Sequence, residues 1–325
     1  MKFRTEIDIP KIDQPINHYD PIITFGSCFA ENIGEILTKL RFSVCNNPFG
    51  VLYNPVSIYN SINLISTNEE FEEADLIFHN GEWHSFYHHS SFSSHNHLKA
   101  LSDMNTKLQE TRTFIQKSKF VIITYGTAFV YAYRKNGMIV SNCHKIPADQ
   151  FDRSLLSVKD LKQSIKSTIQ EIKELNPEIN LIFSVSPIRH LKDGLPQNQR
   201  SKALLIVALQ EIVSTTPNTY YFPSYEIMID DLRDYRFYEQ NLTHPNDMAI
   251  QYIWDKFKSA CLSASCIETL KHVEKLNAAL SHRVRNPDSE EHRIFIENHL
   301  KLLAQLKEKY EYLDFDEEIK YFLPR

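Results

Sequence analysis

Residues 21–40 read PIITFGSCFAENIGEILTKL, and the rest of the chain is organised around them. The stretch opens on an apolar run, Ile22-Ile23-Thr24-Phe25, whose β-branched residues suit a buried strand. Gly26-Ser27-Cys28 breaks the run, and an amphipathic helix over 29–40 follows with Phe29, Ile33, Ile36, Leu37 and Leu40 on one side. A hydroxyl and a thiol therefore sit where a strand turns into a helix. The first N–H groups of a helix have no partner within it, and the positive end of its dipole lies there. Such a place favours negative charge, on sulfur or on the oxygen of an attacked carbonyl. Gly26 permits a sharp turn and leaves room for a substrate. The plainer alternative is an ordinary strand–helix turn in which Ser27 caps the helix and Cys28 is a small buried hydrophobe.

Further runs repeat the alternation. Strands are expected at Lys119–Thr124, ending in Tyr125-Gly126-Thr127, at Asn180–Val185 and at Tyr220–Phe222. Helices are expected over 98–116, 155–176 and 199–214, so the pattern is that of an α/β protein with a parallel sheet. The second of these strands stops at Ser186-Pro187-Ile188-Arg189-His190. That is the carboxyl edge, where open α/β sheets meet ligands, which makes Arg189 and His190 candidates for substrate binding. Between the first two long strands come a short strand at Phe42–Cys45, the loop NPFGVLYNP, a helix over 56–66 and a histidine-rich segment from Glu82 to His97. That segment reads as a strand or hairpin leading into a loop. A hairpin around Asn136-Gly137 then delivers the polar cluster Ser141-Asn142-Cys143-His144-Lys145.

From Ser259 the character changes. Helices over 265–283 and 289–313, parted by Arg285-Asn286-Pro287-Asp288, carry the apolar stripes Leu270, Val273, Leu276, Leu280 and Ile294, Ile296, Leu300, Leu303, Leu306. The division is thus 1–258 for the α/β domain and 259–325 for a C-terminal helical extension. The extension either packs on the core or joins two copies in a homodimer.

A net charge of −5 with scattered basic residues gives no electrostatic case for nucleic acid. No apolar run is long enough for a membrane span, and the first residues lack a secretory segment, so a cytoplasmic location is expected. Five cysteines, an odd number with no CxxC pair, argue against a disulfide framework and a structural zinc site. Fourteen histidines form no HExxH-type pair, so no metal is inferred. With only seven glycines, Gly26, Gly50 and Gly126 each read as meeting a backbone need.

FGSCFAENIG resembles the signature of the GSCFA family, a bacterial group placed near the SGNH/GDSL hydrolases, and NPFGVLYNP fits the same resemblance. The resemblance implies a flavodoxin-like three-layer sandwich around a central parallel sheet. It lays Cys28, with Ser27 as the alternative, over the position of the hydrolases' nucleophilic serine. It also implies an oxyanion site with Gly50 offering its N–H. Gly126 and Asn142, with His144 beside them, resemble the block that supplies an oxyanion asparagine, though at longer spacing. Asn241-Leu242-Thr243-His244-Pro245 resembles the Asp-x-x-His block that carries the base. His244 would be that base, and Pro245 would open the last helix. Asn241 replaces the acid, so it can orient the imidazole but not stabilise its charge. The implied activity is hydrolysis of an acyl ester, such as a carbohydrate O-acetyl group, without a cofactor. Acyl transfer to a carbohydrate and a non-catalytic binding protein are the alternatives.

Overall fold

The computed structural model describes residues 4–67, 69–280 and 289–323. The opening stretch forms β1 (Ile22–Gly26) and α1 (Cys28–Lys39). β2 (Val44–Asn46) and α2 (Pro55–Ser66) follow, then a hairpin of β3 (Leu76–His79) and β4 (Glu82–Ser85), and α3 (His97–Lys117). β5 (Phe120–Tyr125) leads to β6 (Phe129–Tyr133), β7 (Ile139–Val140) and β8 (Phe151–Leu155). α4 (Val158–Leu175), β9 (Asn180–Val185), α5 (Gly194–Val213) and β10 (Thr219–Phe222) complete the sheet. A short turn of helix, α6 (Ser224–Glu226), precedes α7 (Asp247–Cys261), and α8 (Ala264–Leu280), α9 (Glu290–Lys309) and α10 (Asp316–Phe322) close the described chain.

β1, β2, β5, β9 and β10 form one parallel sheet in the order β10-β9-β5-β1-β2. Numbered by their succession in the chain, those strands run 2-1-3-4-5, the flavodoxin-like order. Alternate strand residues enter opposite cores. Ile22, Phe120, Ile122, Ile182 and Phe222 pack with α1, α7 and the C-terminal helices. Ile23, Phe25, Val121, Ile123, Leu181 and Phe183 pack with α2 to α5. Burial on both faces is why these strands read as continuous apolar runs, and the result is the expected three-layer sandwich.

Three boundaries differ from the sequence reading. The helix expected over 155–176 starts at Val158, because 151–155 pairs antiparallel with β6 and makes a three-stranded sheet, β7-β6-β8. Ser157 and Asp160 form a capping box that sets the helix start. α5 begins five residues early, at Gly194. Pro245 lies outside the last helix, whose cap is Asn246.

The C-terminal helices share a core with α1 and α7: Leu270, Val273, Leu276, Leu303 and Leu306 are buried with Trp254 and Phe257. Those parts of the two stripes are covered within this chain and present no surface to a second copy. Arg41 fastens the far end by pairing with Glu318 and donating to the Asp314 carbonyl at 2.6 Å. The expected break at Arg285–Asp288 falls outside the described residues.

Candidate active site

In a sheet of this order the strand succession reverses between β1 and β5, and a crevice opens at their carboxyl ends. Gly26, Ser27 and Cys28 leave β1 there. Gly26 has a φ of +138°, and a Cβ on it would lie 2.2 Å from the Thr124 carbonyl oxygen of β5, so no side chain is tolerated. Ser27 is the cap of α1: it is fully buried, and its Oγ accepts from the Phe29 N–H at 3.3 Å. Its hydroxyl is spent. Cys28, the first residue of α1, is half-buried, with Sγ 3.6 Å from the Tyr53 hydroxyl.

Tyr53 is held from several sides. Its carbonyl accepts from the N–H groups of Gly126 at 2.7 Å and Thr127 at 3.0 Å. Its ring meets His190 edge-on, centroids 5.4 Å apart. A Cβ on Gly126 would sit 3.1 Å from His190 Nε2 and 3.2 Å from the Tyr53 ring, so this glycine is there for close approach. Burial, then the neighbouring Cys28 thiol, push the Tyr53 phenol up, and it stays protonated at ordinary pH. Burial, with Lys202, His244 and Arg153 adding to it, brings His190 down to about 3, so its imidazole is neutral. Its Nε2 is buried without a hydrogen-bond partner. Beneath lies Lys202, wholly buried, donating to the Gly126 and Ser186 carbonyls at 2.7 Å each, with burial lowering it to about 7. It ties together the ends of β5 and β9.

The loop that carries His244 is tied beside His190 by the Arg189 backbone N–H, which donates to the Thr243 carbonyl at 3.0 Å. Asn241 Oδ1 accepts from the N–H of Thr243 at 2.8 Å and of His244 at 3.0 Å, a local turn that fixes the loop. The Thr243 hydroxyl bonds that same oxygen at 2.8 Å and His244 Nδ1 at 2.9 Å. Since Asn241 Oδ1 only accepts, the hydroxyl hydrogen points at it, and Thr243 must accept from His244 Nδ1–H. That leaves a lone pair on Nε2, the tautomer a base needs. Asn241 thus acts on the imidazole through Thr243, not directly. Among the described residues no hydrogen bond joins Cys28 to His244; Tyr53 touches Cys28 on one side and His190 on the other.

Other expected residues lie elsewhere or are engaged. Gly50, at φ +73°, donates its N–H to the Asn47 carbonyl at 2.7 Å, and a Cβ there would meet His89 at 2.4 Å. It is a turn glycine, and its N–H is not free for an oxyanion. The Gly126 N–H is equally committed, to Tyr53. Asn142 accepts from the His144 N–H at 2.9 Å and donates to Ser90 at 3.3 Å. His144 is buried, bonded through Nε2 to the Ser85 carbonyl at 2.8 Å and stacked on His84. Both shape the turn after β7. Among the described residues Arg189 makes no ion pair with an acid. Its guanidinium lies 4.1 Å over the Tyr238 ring and its backbone N–H donates to the Thr243 carbonyl, bracing the loop that carries His244. A cavity of about 320 Å³ opens beside it, lined by Tyr235, Tyr238 and Leu232 among others.

The sequence reading missed Tyr53, Thr243 and Lys202. Thr243 had a signal, since an Asn two residues before a hydroxyl residue is a turn pattern. Tyr53 lay within the quoted NPFGVLYNP loop, where attention fell on Gly50, and Lys202 had no signal. Among the described residues no group of three or more His, Cys, Asp or Glu side chains could hold a metal ion. None of the described helices is long and apolar enough to cross a membrane.

No curated protein matches the chain. Solved structures similar to it include a Streptococcus pneumonia protein described as a platelet activating factor, at 11% identity and a TM-score of 0.40, covering 74% of this chain and 83% of that one. A family 3 carbohydrate esterase of Clostridium thermocellum gives 11% identity and a TM-score of 0.36 over 78% of this chain and 98% of its own. An acetyl xylan esterase of the rumen bacterium Butyrivibrio proteoclasticus gives 10% and 0.32, over 76% and 66%. At such identities the chemistry has to be argued from this chain's own residues. The profile of the GSCFA domain protein C-terminal domain matches residues 273–325. The GSCFA family profile matches residues 21–257, and the chain belongs to that family.

Proposed function

We propose that the chain hydrolyses an acyl ester, a carbohydrate O-acetyl group being the substrate class to test first, with Cys28 as nucleophile and His244 as base. One observation carries the reading. At the switch point the Ser27 hydroxyl is fully buried as a helix cap, while the adjacent thiol stays partly exposed beside a protonated phenol. His244 Nε2 takes the thiol proton, and sulfur attacks the acyl carbon. The alcohol leaves with the proton, and water hydrolyses the thioester. In this reading sulfur and imidazole come within hydrogen-bond reach once substrate is in place, as catalytic hydrogen bonds often tighten only then. Acyl transfer to a sugar hydroxyl is a second reading, favoured by the half-burial of Cys28, since a thioester shielded from bulk water survives to meet another acceptor.

The test is turnover of p-nitrophenyl acetate and acetylated xylo-oligosaccharides, with mass spectrometry to find the acyl group on Cys28. Full turnover by Cys28→Ala would exclude the mechanism. Acetylated sugar formed in place of acetate, once unmodified saccharide is added, would assign transfer.

A further inference from the structure

We infer that the Tyr53 hydroxyl is a catalytic oxyanion donor, binding the negative oxygen that forms when Cys28 adds to the acyl carbon. The inference rests on Cys28 being the nucleophile. In the tetrahedral adduct the oxyanion lies two bonds from Sγ. A hydroxyl 3.6 Å from that sulfur before reaction is therefore within reach of the oxyanion afterwards. An effective donor lies about 2.7–3.1 Å from the oxygen and needs no rearrangement as charge develops.

Three facts support the role. First, the donors expected for it are engaged: the N–H groups of Gly50 and Gly126 on backbone carbonyls, the Asn142 amide on Ser90. Second, Tyr53 is fixed by two hydrogen bonds to its carbonyl and by His190 against its ring, and it stands just before Asn54, the cap of α2. Third, the only hydrogen bond its hydroxyl makes within the described residues is to the reacting atom. In the addition step the C–S bond forms, the carbonyl π pair moves to oxygen, and the phenol donates a hydrogen bond while keeping its proton. As the adduct collapses, the C–O bond to the alcohol breaks, and that oxygen takes the proton held by His244. The N–H of Cys28, at the start of α1, is the second donor.

Two reagents separate this role from a structural one. p-Nitrophenyl acetate forms an oxyanion when Cys28 attacks it. Iodoacetamide alkylates the same sulfur by direct displacement and forms none. Single-turnover modification of Cys28 is followed by mass spectrometry in the full wild-type chain and in Tyr53→Phe, which keeps the ring that Gly126 and His190 contact. Acylation is expected to fall about 100- to 1,000-fold, while alkylation changes by far less. An equal fall in both rates would make the phenol a thiolate partner or a packing residue and overturn the inference. So would unchanged acylation. A wild type that alkylates but never acylates would remove the hydrolase reading itself, a result distinct from any in the variant alone.

Discussion

The carboxyl edge of the parallel sheet and the small antiparallel sheets beside it are both rich in histidine, and they use it in opposite ways. In the antiparallel part, one nitrogen of each ring is spent on the backbone, His84 Nε2 on the His79 carbonyl at 3.0 Å and His144 Nε2 on the Ser85 carbonyl at 2.8 Å, while His144 Nδ1 is buried without a partner and faces no nucleophile in the described contacts. Asn142 is committed likewise, and the bonds hold a turn in which His144 and Lys145 adopt positive φ. At the sheet edge polar atoms are held in place but not consumed. Nε2 of His244 keeps its lone pair, Nε2 of His190 is unpartnered, and the Tyr53 hydroxyl faces a thiol. The abundance of histidine therefore marks no site. Oriented groups with capacity left over, gathered where the strand order reverses, do so.

The sharpest way to break the comparison is to remove a group from each side. Cys28→Ala is expected to lower acyl-ester turnover by roughly 10,000-fold or more, as loss of a nucleophile does elsewhere. His144→Gln should leave the folded protein's turnover close to wild type. Steady-state kinetics on p-nitrophenyl acetate decides it, and comparable losses in the two variants would mean that the two regions form one site.

Acid should probe the buried rings next, His190 at the sheet edge included. Burial lowers His144 to about 4 and His88 to about 3, from an ordinary value of 6.5. Both folded values lie below the unfolded one, so the unfolded chain binds protons that the folded chain refuses. Stability is then fully present above pH 6.5 and falls as pH drops towards 4. The loss for His144 alone is on the order of 3 kcal/mol. Urea unfolding between pH 7 and 4 measures it, and the slope should shrink in His144→Gln. A stability flat across that window would refute the assignment of these rings as buried and neutral.

How much of this was readable beforehand follows from what each feature depends on. β1, β5 and β9 are buried on both faces, so their apolar runs are continuous and cannot be mistaken for loops. β8 was hidden because Leu155 extends the helical spacing of Val158 and Leu161, and only pairing with β6, more than twenty residues away, makes it a strand. Cys28 was legible through the strand–helix break and the family signature that put it ahead of Ser27, but which of the two side chains is buried was not. That depends on which side chain turns inward to cap α1, a matter of backbone angle at one residue. Tyr53 stood in the quoted NPFGVLYNP loop, but its place beside Cys28 could not be read there, since it is set by hydrogen bonds to Gly126 and Thr127 across the sheet edge. Gly50 and Asn142 suit an oxyanion site by residue type, but a local turn claims the Gly50 N–H and the Asn142 amide donates to Ser90.

Thr243→Val removes the acceptor for His244 Nδ1–H while keeping the shape of the side chain. With nothing to select the tautomer, kcat/KM is expected to fall about 10- to 100-fold, part of what a positioned base contributes. The Asn241 bonds to the backbone N–H groups of Thr243 and His244 survive, so the melting temperature should change little. Restoration by Thr243→Ser would tie the loss to the hydroxyl. Unchanged activity in Thr243→Val would show that Asn241 and Thr243 only shape the loop.

The smallest effect bears on the two adjacent residues with which the site begins. Ser27→Ala deletes the hydroxyl that accepts from the Phe29 N–H, and helix caps of this kind are worth about 1 kcal/mol. The variant should unfold at slightly lower urea concentration yet acylate Cys28 at the wild-type rate. The two neighbours would then be separated by function: one oxygen holds the helix end together, and one sulfur uses the field that the helix end creates. If turnover vanished in Ser27→Ala with the fold intact, and survived in Cys28→Ala, the hydroxyl would be the nucleophile. The side chain now turned inward as a cap would then have to swing out to react, at the cost of that same hydrogen bond.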